Sequence, residues 1–147
     1  MRFFVAAFVL AVVVPASAHH PFTPYYDASK LVSVTGTVVE LRWANPHAVL
    51  IVDGTTTDGQ SGKWAFEGLS PNALSRSVKD ARDKLRTGTR ITISGWAAKD
   101  PAARAFSASE VTFADGSQMV FGSLTAGASD RWHCLTEPCP YRYPSSE

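Results

Sequence analysis

Residues 31–43 read LVSVTGTVVELRW, and the apolar positions of this stretch change parity partway along. From Val32 the apolar side chains occupy even positions up to Val38, and then odd positions from Val39 to Trp43. Successive side chains of a strand point to opposite faces, so a change of parity indicates an extra residue that bends the strand. Gly36 offers the least hindered place for a bend, because it has no Cβ. We therefore predict one long coiled strand whose halves serve different sheet edges, as in a small barrel.

Shorter segments on the C-terminal side complete a mainly β pattern. Further strands are predicted at 48–52, 63–67, 90–97, 105–113 and 118–121. Ser70 and Pro71 have the pattern of a helix N-cap and first helical residue. The polar run 55–62 predicts an exposed hairpin loop, and Asp115-Gly116 predicts a tight hairpin turn. This chain order predicts a small OB-like five-stranded barrel with one helix between the third and fourth strands.

Length and composition limit the classes of protein that fit. The 147 residues are enough for one ordinary domain, and a hydrophobic content of 45% is enough for a core. Fourteen basic and 13 acidic residues leave a net charge of +1, without the basic excess of a nucleic-acid binder. Two cysteines are too few for a multi-disulfide scaffold or a four-cysteine zinc site. We therefore expect a single globular domain that does not bind nucleic acid.

Residues 1–18 have the pattern of a cleaved export signal. Arg2 precedes an uncharged apolar run at 3–14, and Ala16-Ser17-Ala18 is a small-x-small cleavage site. The run is shorter than the roughly 20 residues that a membrane-spanning helix needs. Cleavage is expected after Ala18, with Ala16 as the alternative. The mature protein is then periplasmic or secreted without a membrane anchor, with a barrel domain at 19–122 and an extended tail at 123–147.

The tail contains both cysteines. Cys134 and Cys139 enclose a short proline-containing loop, and an exported protein reaches an oxidising compartment. This favours a local disulfide, which would stabilise the loop by roughly 2 kcal/mol in the chain-entropy model. The alternative is a metal site with the adjacent His133, although the spacing matches no common ligand pattern.

Several sequence blocks resemble a family of small exported bacterial proteins, the domain of unknown function 6152 family. The blocks are His19-His20-Pro21-Phe22, Val34-Thr35-Gly36-Thr37-Val38, Trp43-Ala44-Asn45-Pro46-His47-Ala48, Glu67-Gly68, Ser70-Pro71-Asn72-Ala73-Leu74, Gly95 with Ala98-Lys99-Asp100, and Asp115-Gly116. They extend from about His19 to Gly122, so the tail lies outside the shared pattern. The resemblance implies export and a small barrel, and the family offers no established biochemical function to transfer.

Histidines are the candidate metal ligands. After cleavage at Ala18 the chain begins with His19, whose α-amine and imidazole chelate a metal together, and His20 or His47 supplies a further nitrogen. Cleavage at Ala16 instead makes His19 the third residue, which also suits Cu(II). A set of nitrogen donors favours copper, which has the highest affinity of the divalent series. The alternative is that His19 and His20 are solvated residues near a chain end and that His47 caps a turn.

Aromatic residues suggest a second kind of site. Trp43, Asn45 and Trp64 are candidates for a ligand groove, because OB-type barrels bind ligands across their second and third strands. Aromatic side chains on strands more often belong to the core. A groove of this kind would take a small ligand or a protein partner, neither of which the sequence identifies.

No pattern of an enzyme stands out. The chain has no Gly-x-Ser-x-Gly motif and no phosphate-binding glycine loop, and the carboxylates Glu67 and Asp100 have no partner at a useful spacing. We therefore expect an exported, non-enzymatic binding or accessory module without a cofactor. The two alternatives are a copper-binding protein that uses the mature N-terminal histidines and a structural protein that docks a partner through its tail.

Overall fold

A single six-stranded sheet dominates the computed structural model, which describes residues 22–124. The strands are β1 (Tyr26–Arg42), β2 (Val49–Thr56), β3 (Ser61–Glu67), β4 (Arg90–Ala98), β5 (Ala105–Phe113) and β6 (Gln118–Val120). The helices are α1 (Phe22–Tyr25), α2 (Pro71–Ser77) and α3 (Ala81–Lys84), with a 3-10 turn at Pro101–Ala103. None of the helices described here has the length and apolar character needed to cross a membrane. The signal at 1–18, His19, His20 and the cysteine-containing tail lie outside the described residues.

The sheet forms a closed ring of hydrogen bonds. Its strand order is β3-β2-β1-β4-β5-β6, with antiparallel neighbours throughout. β3 also pairs in parallel with β5, where residues 65–67 lie beside residues 105–107. This pairing closes the ring through β3, β2, β1, β4 and β5. The mainly β class is confirmed, and α2 and α3 lie between the third and fourth strands as predicted.

The long first strand bends where the parity of its apolar residues changes. β1 pairs with β4 along residues 31–37 and with β2 along residues 34–42. The register with β2 shifts between Val38 and Glu40, which leaves Val39 as the extra residue. The prediction that the bend lies at Gly36 is wrong, because the register shift lies at Val39. Glycine is required at position 36 for another reason: a Cβ there would overlap the Asp53 carbonyl and lie 2.6 Å from the Cα of Gly54. Gly36 is therefore needed for the close approach of two strands.

The second and third strands are longer than the sequence predicts. Thr55 pairs with Ser61, and their hydroxyl oxygens lie 2.9 Å apart. The connecting loop therefore comprises only residues 57–60, rather than the predicted 55–62. Polar composition was a misleading signal here, because threonine has a high strand propensity and the outer face of the sheet accepts polar side chains.

The helical segment starts as predicted but is interrupted. Ser70 is the N-cap of α2 and accepts a hydrogen bond from the Ala73 amide at 3.3 Å. Asp80 adopts a left-handed conformation with φ of 60°, which separates α2 from α3. Leu74 and Leu85 nevertheless both reach the core, so the helical spacing of the apolar residues predicted burial correctly.

The core fills the interior of the ring. All six strands and both α2 and α3 contribute buried apolar side chains to one cluster. Phe66 and Phe106 stack within it, with ring centroids 4.8 Å apart. A register shift between Ile93 and Gly95 of β4 changes which β5 side chains point inward.

Candidate functional site

The imidazole of His47 is held in one orientation by a backbone carbonyl. His47 lies between β1 and β2, and its Nδ1 is 3.0 Å from the carbonyl oxygen of Gly68. The hydrogen bond from the Gly68 amide to the Ala48 carbonyl, at 2.8 Å, fixes these two segments beside each other. A carbonyl oxygen only accepts hydrogen bonds, so Nδ1 is the donor and the lone pair of the neutral ring is on Nε2.

The Nε2 atom of His47 faces a carboxylate. Glu67 is the last residue of β3, and its Oε1 lies 3.7 Å from Nε2 of His47. Both atoms are hydrogen-bond acceptors when the imidazole is neutral. A cation between them makes the arrangement favourable, either as a proton on the imidazole or as a metal ion bound by both side chains.

Tyr26 fixes the other oxygen of the same carboxylate. Its hydroxyl donates a 2.8 Å hydrogen bond to Oε2 of Glu67, across 41 positions of the chain. Burial, together with this hydrogen bond and the charge of Glu67, raises the pKa of the Tyr26 phenol well above its ordinary value. The phenol therefore stays protonated and remains a donor, which leaves Oε1 of Glu67 as the oxygen that faces His47.

These three side chains form what we call the His47–Glu67–Tyr26 cluster. The side chains of His47 and Glu67 are each 40% exposed, so a ligand can reach both from solvent. Across the described residues, His, Cys, Asp and Glu side chains form no group of three or more that could hold a metal ion. The cluster therefore contains two side chains of the types that coordinate metal ions, His47 and Glu67.

Sequence reasoning identified His47 and missed its partners. Glu67 was interpreted as an isolated carboxylate, yet the pairing of Val49 with Glu67 places His47 two residues beyond that pair. Side chains two residues apart share a face of a strand, so the register of β2 against β3 is the signal that could have found the contact.

The predicted groove residues lie in different environments. Trp64 is 5% exposed, belongs to the core and donates a 3.2 Å hydrogen bond from Nε1 to the Gly54 carbonyl. Trp43 is half-buried against the core, and Asn45 is exposed beside Pro46. Trp64 lines a cavity whose lining includes neither Trp43 nor Asn45. The structure therefore does not bring the three residues together in that cavity.

The fold and the site together define a small, mainly β protein in which the exposed side chains of His47 and Glu67 lie beside each other. The chain belongs to the Family of unknown function (DUF6152), whose family model matches residues 7–107. The resemblance of the sequence blocks to this family is confirmed. No curated protein and no solved structure matches the chain.

Proposed function

We propose that this protein is an exported, non-catalytic binding module that holds a copper ion at His47 and Glu67, with the mature N-terminus supplying further nitrogen donors. The observation that carries the proposal is the orientation of His47, whose Nδ1 is bound to the Gly68 carbonyl while Nε2 faces Glu67. Metal-binding histidines typically donate their second ring N–H to a carbonyl or carboxylate in this way.

The distance between the two donor atoms suits a shared ion. Metal–nitrogen and metal–oxygen bonds to these side chains are about 2.1 Å long, so two of them span at most about 4.2 Å. The 3.7 Å between Nε2 and Oε1 lies within this span. The hydrogen bond from Tyr26 to Oε2 leaves Oε1 available for the ion.

The N-terminal histidines are close to this cluster along the chain. His20 precedes Tyr26 by six residues, a length of at most about 20 Å of extended chain. Cleavage after Ala18 would place an α-amine and two imidazoles within seven residues of Tyr26, a length of at most about 25 Å. Nitrogen donors in this number favour copper over the other divalent ions of its series.

We further propose that the hydrogen-bonded ring is an OB-type barrel that serves as a rigid support for the site. The chain order of strands and helices and the parallel contact of β3 with β5 support this assignment. The cluster draws one residue from β1, one from the loop before β2 and one from β3. A closed ring would hold these residues at fixed separations.

Copper titration of the mature protein tests the proposal. Mass spectrometry first establishes the N-terminal residue of the exported protein. Isothermal calorimetry then compares Cu(II) binding to the wild type, His47→Gln and Glu67→Gln, with Glu40→Gln, which removes an exposed carboxylate elsewhere on the sheet, as the control. We expect His47→Gln to weaken binding at least about tenfold, as loss of a fixed ligand does, and Glu40→Gln to bind like the wild type. An added residue before the mature N-terminus should weaken binding as well.

Equal copper affinity of His47→Gln and the wild type would reject the site. In that case the contact of His47 with Glu67 is structural, and His47→Gln would change only the midpoint of thermal unfolding. If the N-terminal extension has no effect on affinity, the terminal amine is not a donor.

A further inference from the structure

An open depression outside the His47–Glu67–Tyr26 cluster has an empty volume of about 430 Å³, the solvent at its mouth included. The start of β1, the hairpin between β2 and β3 and the segment between β4 and β5 surround it. Val32, Trp64 and Phe106 line its apolar part, whereas Lys30 and Arg104 are the basic residues that line it. The lining as a whole combines seven apolar with six polar or charged residues, among them Asp58 and Asp100. Small-molecule sites pair an apolar wall with polar groups that fix the orientation of the ligand.

Arg104 is held at this cavity by its backbone and by two neighbours. Its φ of 46° lies in the left-handed region, and its carbonyl accepts a 3.0 Å hydrogen bond from the Ala65 amide. Its guanidinium carbon lies 5.0 Å from the centre of the Trp64 ring, at the distance of a cation–π contact. A Cβ on Gly62 would overlap Nη1 of this guanidinium, so the glycine leaves the space that Arg104 occupies. The orientation of the guanidinium is therefore determined before any ligand arrives.

The acidic residues of the cavity accept hydrogen bonds from neighbouring groups, whereas its basic residues form no ion pair within the described part of the chain. The Asp58 carboxylate accepts hydrogen bonds from Thr56 and Gln60, and Asp100 accepts one from the Ala102 amide at 2.9 Å. Among residues 22–124, neither Lys30 nor Arg104 has a carboxylate within ion-pair distance. Arg104 makes one long hydrogen bond, of 3.5 Å, to the Ser61 carbonyl. Arg104 and Lys30 therefore keep N–H donors that an anionic ligand can use.

We propose that this cavity binds a small organic carboxylate with a flat apolar body. The planar guanidinium of Arg104 presents paired N–H donors that match the two oxygens of a carboxylate, and Lys30 adds a second positive charge. The apolar body of the ligand lies against the apolar part of the cavity. This site is independent of copper, because it shares no residue with the His47–Glu67–Tyr26 cluster.

Benzoate and benzamide are probes that separate charge from shape. Both have a flat ring of the same size, and only benzoate is an anion. NMR titration or quenching of tryptophan fluorescence in the mature protein should show saturable benzoate binding, with a Kd near 1 mM for a ligand this small. Benzamide should bind at least about tenfold more weakly, because it cannot form the charge-assisted bidentate contact.

Three variants test the role of Arg104. Arg104→Gln should weaken benzoate binding at least about tenfold, whereas Arg86→Gln, which removes the same charge from an exposed position, should not. Arg104→Lys keeps the charge and loses the planar donors, so it should also bind more weakly. If Arg104→Gln does not fold, Lys30→Gln gives the same comparison with a smaller expected loss.

The proposal fails if the wild type shows no saturable benzoate binding at about ten times the expected Kd. It also fails if benzamide binds as well as benzoate, or if Arg104→Gln binds like the wild type.

Discussion

Gly36 of β1 and Gly54 of β2 lie directly opposite each other, so close that a Cβ on either would come within 2.7 Å of the other's Cα. The two strands cannot separate locally to admit a side chain without breaking the pairing on both sides. This contact lies in the middle of the long strand that both halves of the ring share. A methyl group added to either glycine would therefore disturb the pairing of β1 with β2.

Gly36→Ala should destabilise the protein by at least about 3 kcal/mol, because the added methyl group meets backbone atoms that cannot rotate away. Gly59→Ala is the control: its site has a φ of 88° and no atom within 4 Å, so the cost is about 1 kcal/mol of backbone strain. Urea unfolding of both variants measures the difference. Equal losses would mean that β1 and β2 can move apart.

Ser70→Ala should cost about 1 kcal/mol through loss of the N-cap of α2. Ser75→Ala is the matched control within the same helix, where the exposed side chain makes no described cap and alanine has the higher helix propensity. Thermal unfolding should therefore shift down for the first variant and stay unchanged or rise for the second. The reverse order would show that the cap hydrogen bond contributes nothing.

Leu74→Ala should destabilise the protein by about 2–5 kcal/mol, since it leaves a cavity where a fully buried leucine joins α2 to the core. Leu31, which is 44% exposed, provides the comparison. Leu31→Ala should cost less than about 1 kcal/mol. Chemical denaturation measures the free energy of unfolding of both variants. A small loss for Leu74→Ala would mean that α2 does not unfold together with the sheet.

Glu110→Gln should change the pH dependence of stability. Burial raises the pKa of the Glu110 carboxyl above its ordinary 4.5, so the folded state disfavours the charged form. The wild type therefore loses stability as pH rises through 4.5 and above, whereas the glutamine variant does not. We expect the variant to be more stable at pH 7 by up to about 0.5 kcal/mol, since the side chain is partly solvated, and to lose this advantage below pH 4. Unfolding at several pH values measures this difference, and a larger advantage at low pH would contradict it.

Tyr26→Phe should lower copper affinity about tenfold or more if the phenol orients Glu67 as a ligand. The loss arises because the carboxylate becomes free to turn away from His47. Tyr25, which is adjacent and 60% exposed, supplies the control Tyr25→Phe. Calorimetric titration with Cu(II) compares the two, and unchanged affinity in Tyr26→Phe would remove the tyrosine from the site.

Strand positions were largely predictable, because alternation along one segment is a local property of its residues. β5 begins and ends at the predicted residues 105–113, and the parity change at Val39 marks the observed register shift. Which β5 side chains point inward was not predictable, since a bulge in the paired strand β4 is set by the neighbour and not by the segment itself. The length of β2 was underestimated for a related reason: Thr55 is held in the strand by its partner Ser61.

The candidate site was only partly predictable. His47 could be identified from its residue type, whereas its contact with Glu67 depends on the register of two strands. Tyr26 reaches the same carboxylate only because the ring closes, and no spacing in the sequence encodes that contact. Residue chemistry therefore indicated one residue of the candidate site, and the pairing of strands determined its neighbours.

The parallel contact of β3 with β5 has a consequence for the behaviour of this protein at high concentration. Only three residue pairs join these strands, so β3–β5 is the shortest of the strand pairings that form the ring. Separation there would expose two unpaired strand edges at once, and such edges template pairing with other chains. The backbone pairing of β3 with β5, beside the stacked rings of Phe66 and Phe106, therefore protects these two edges from pairing with other chains.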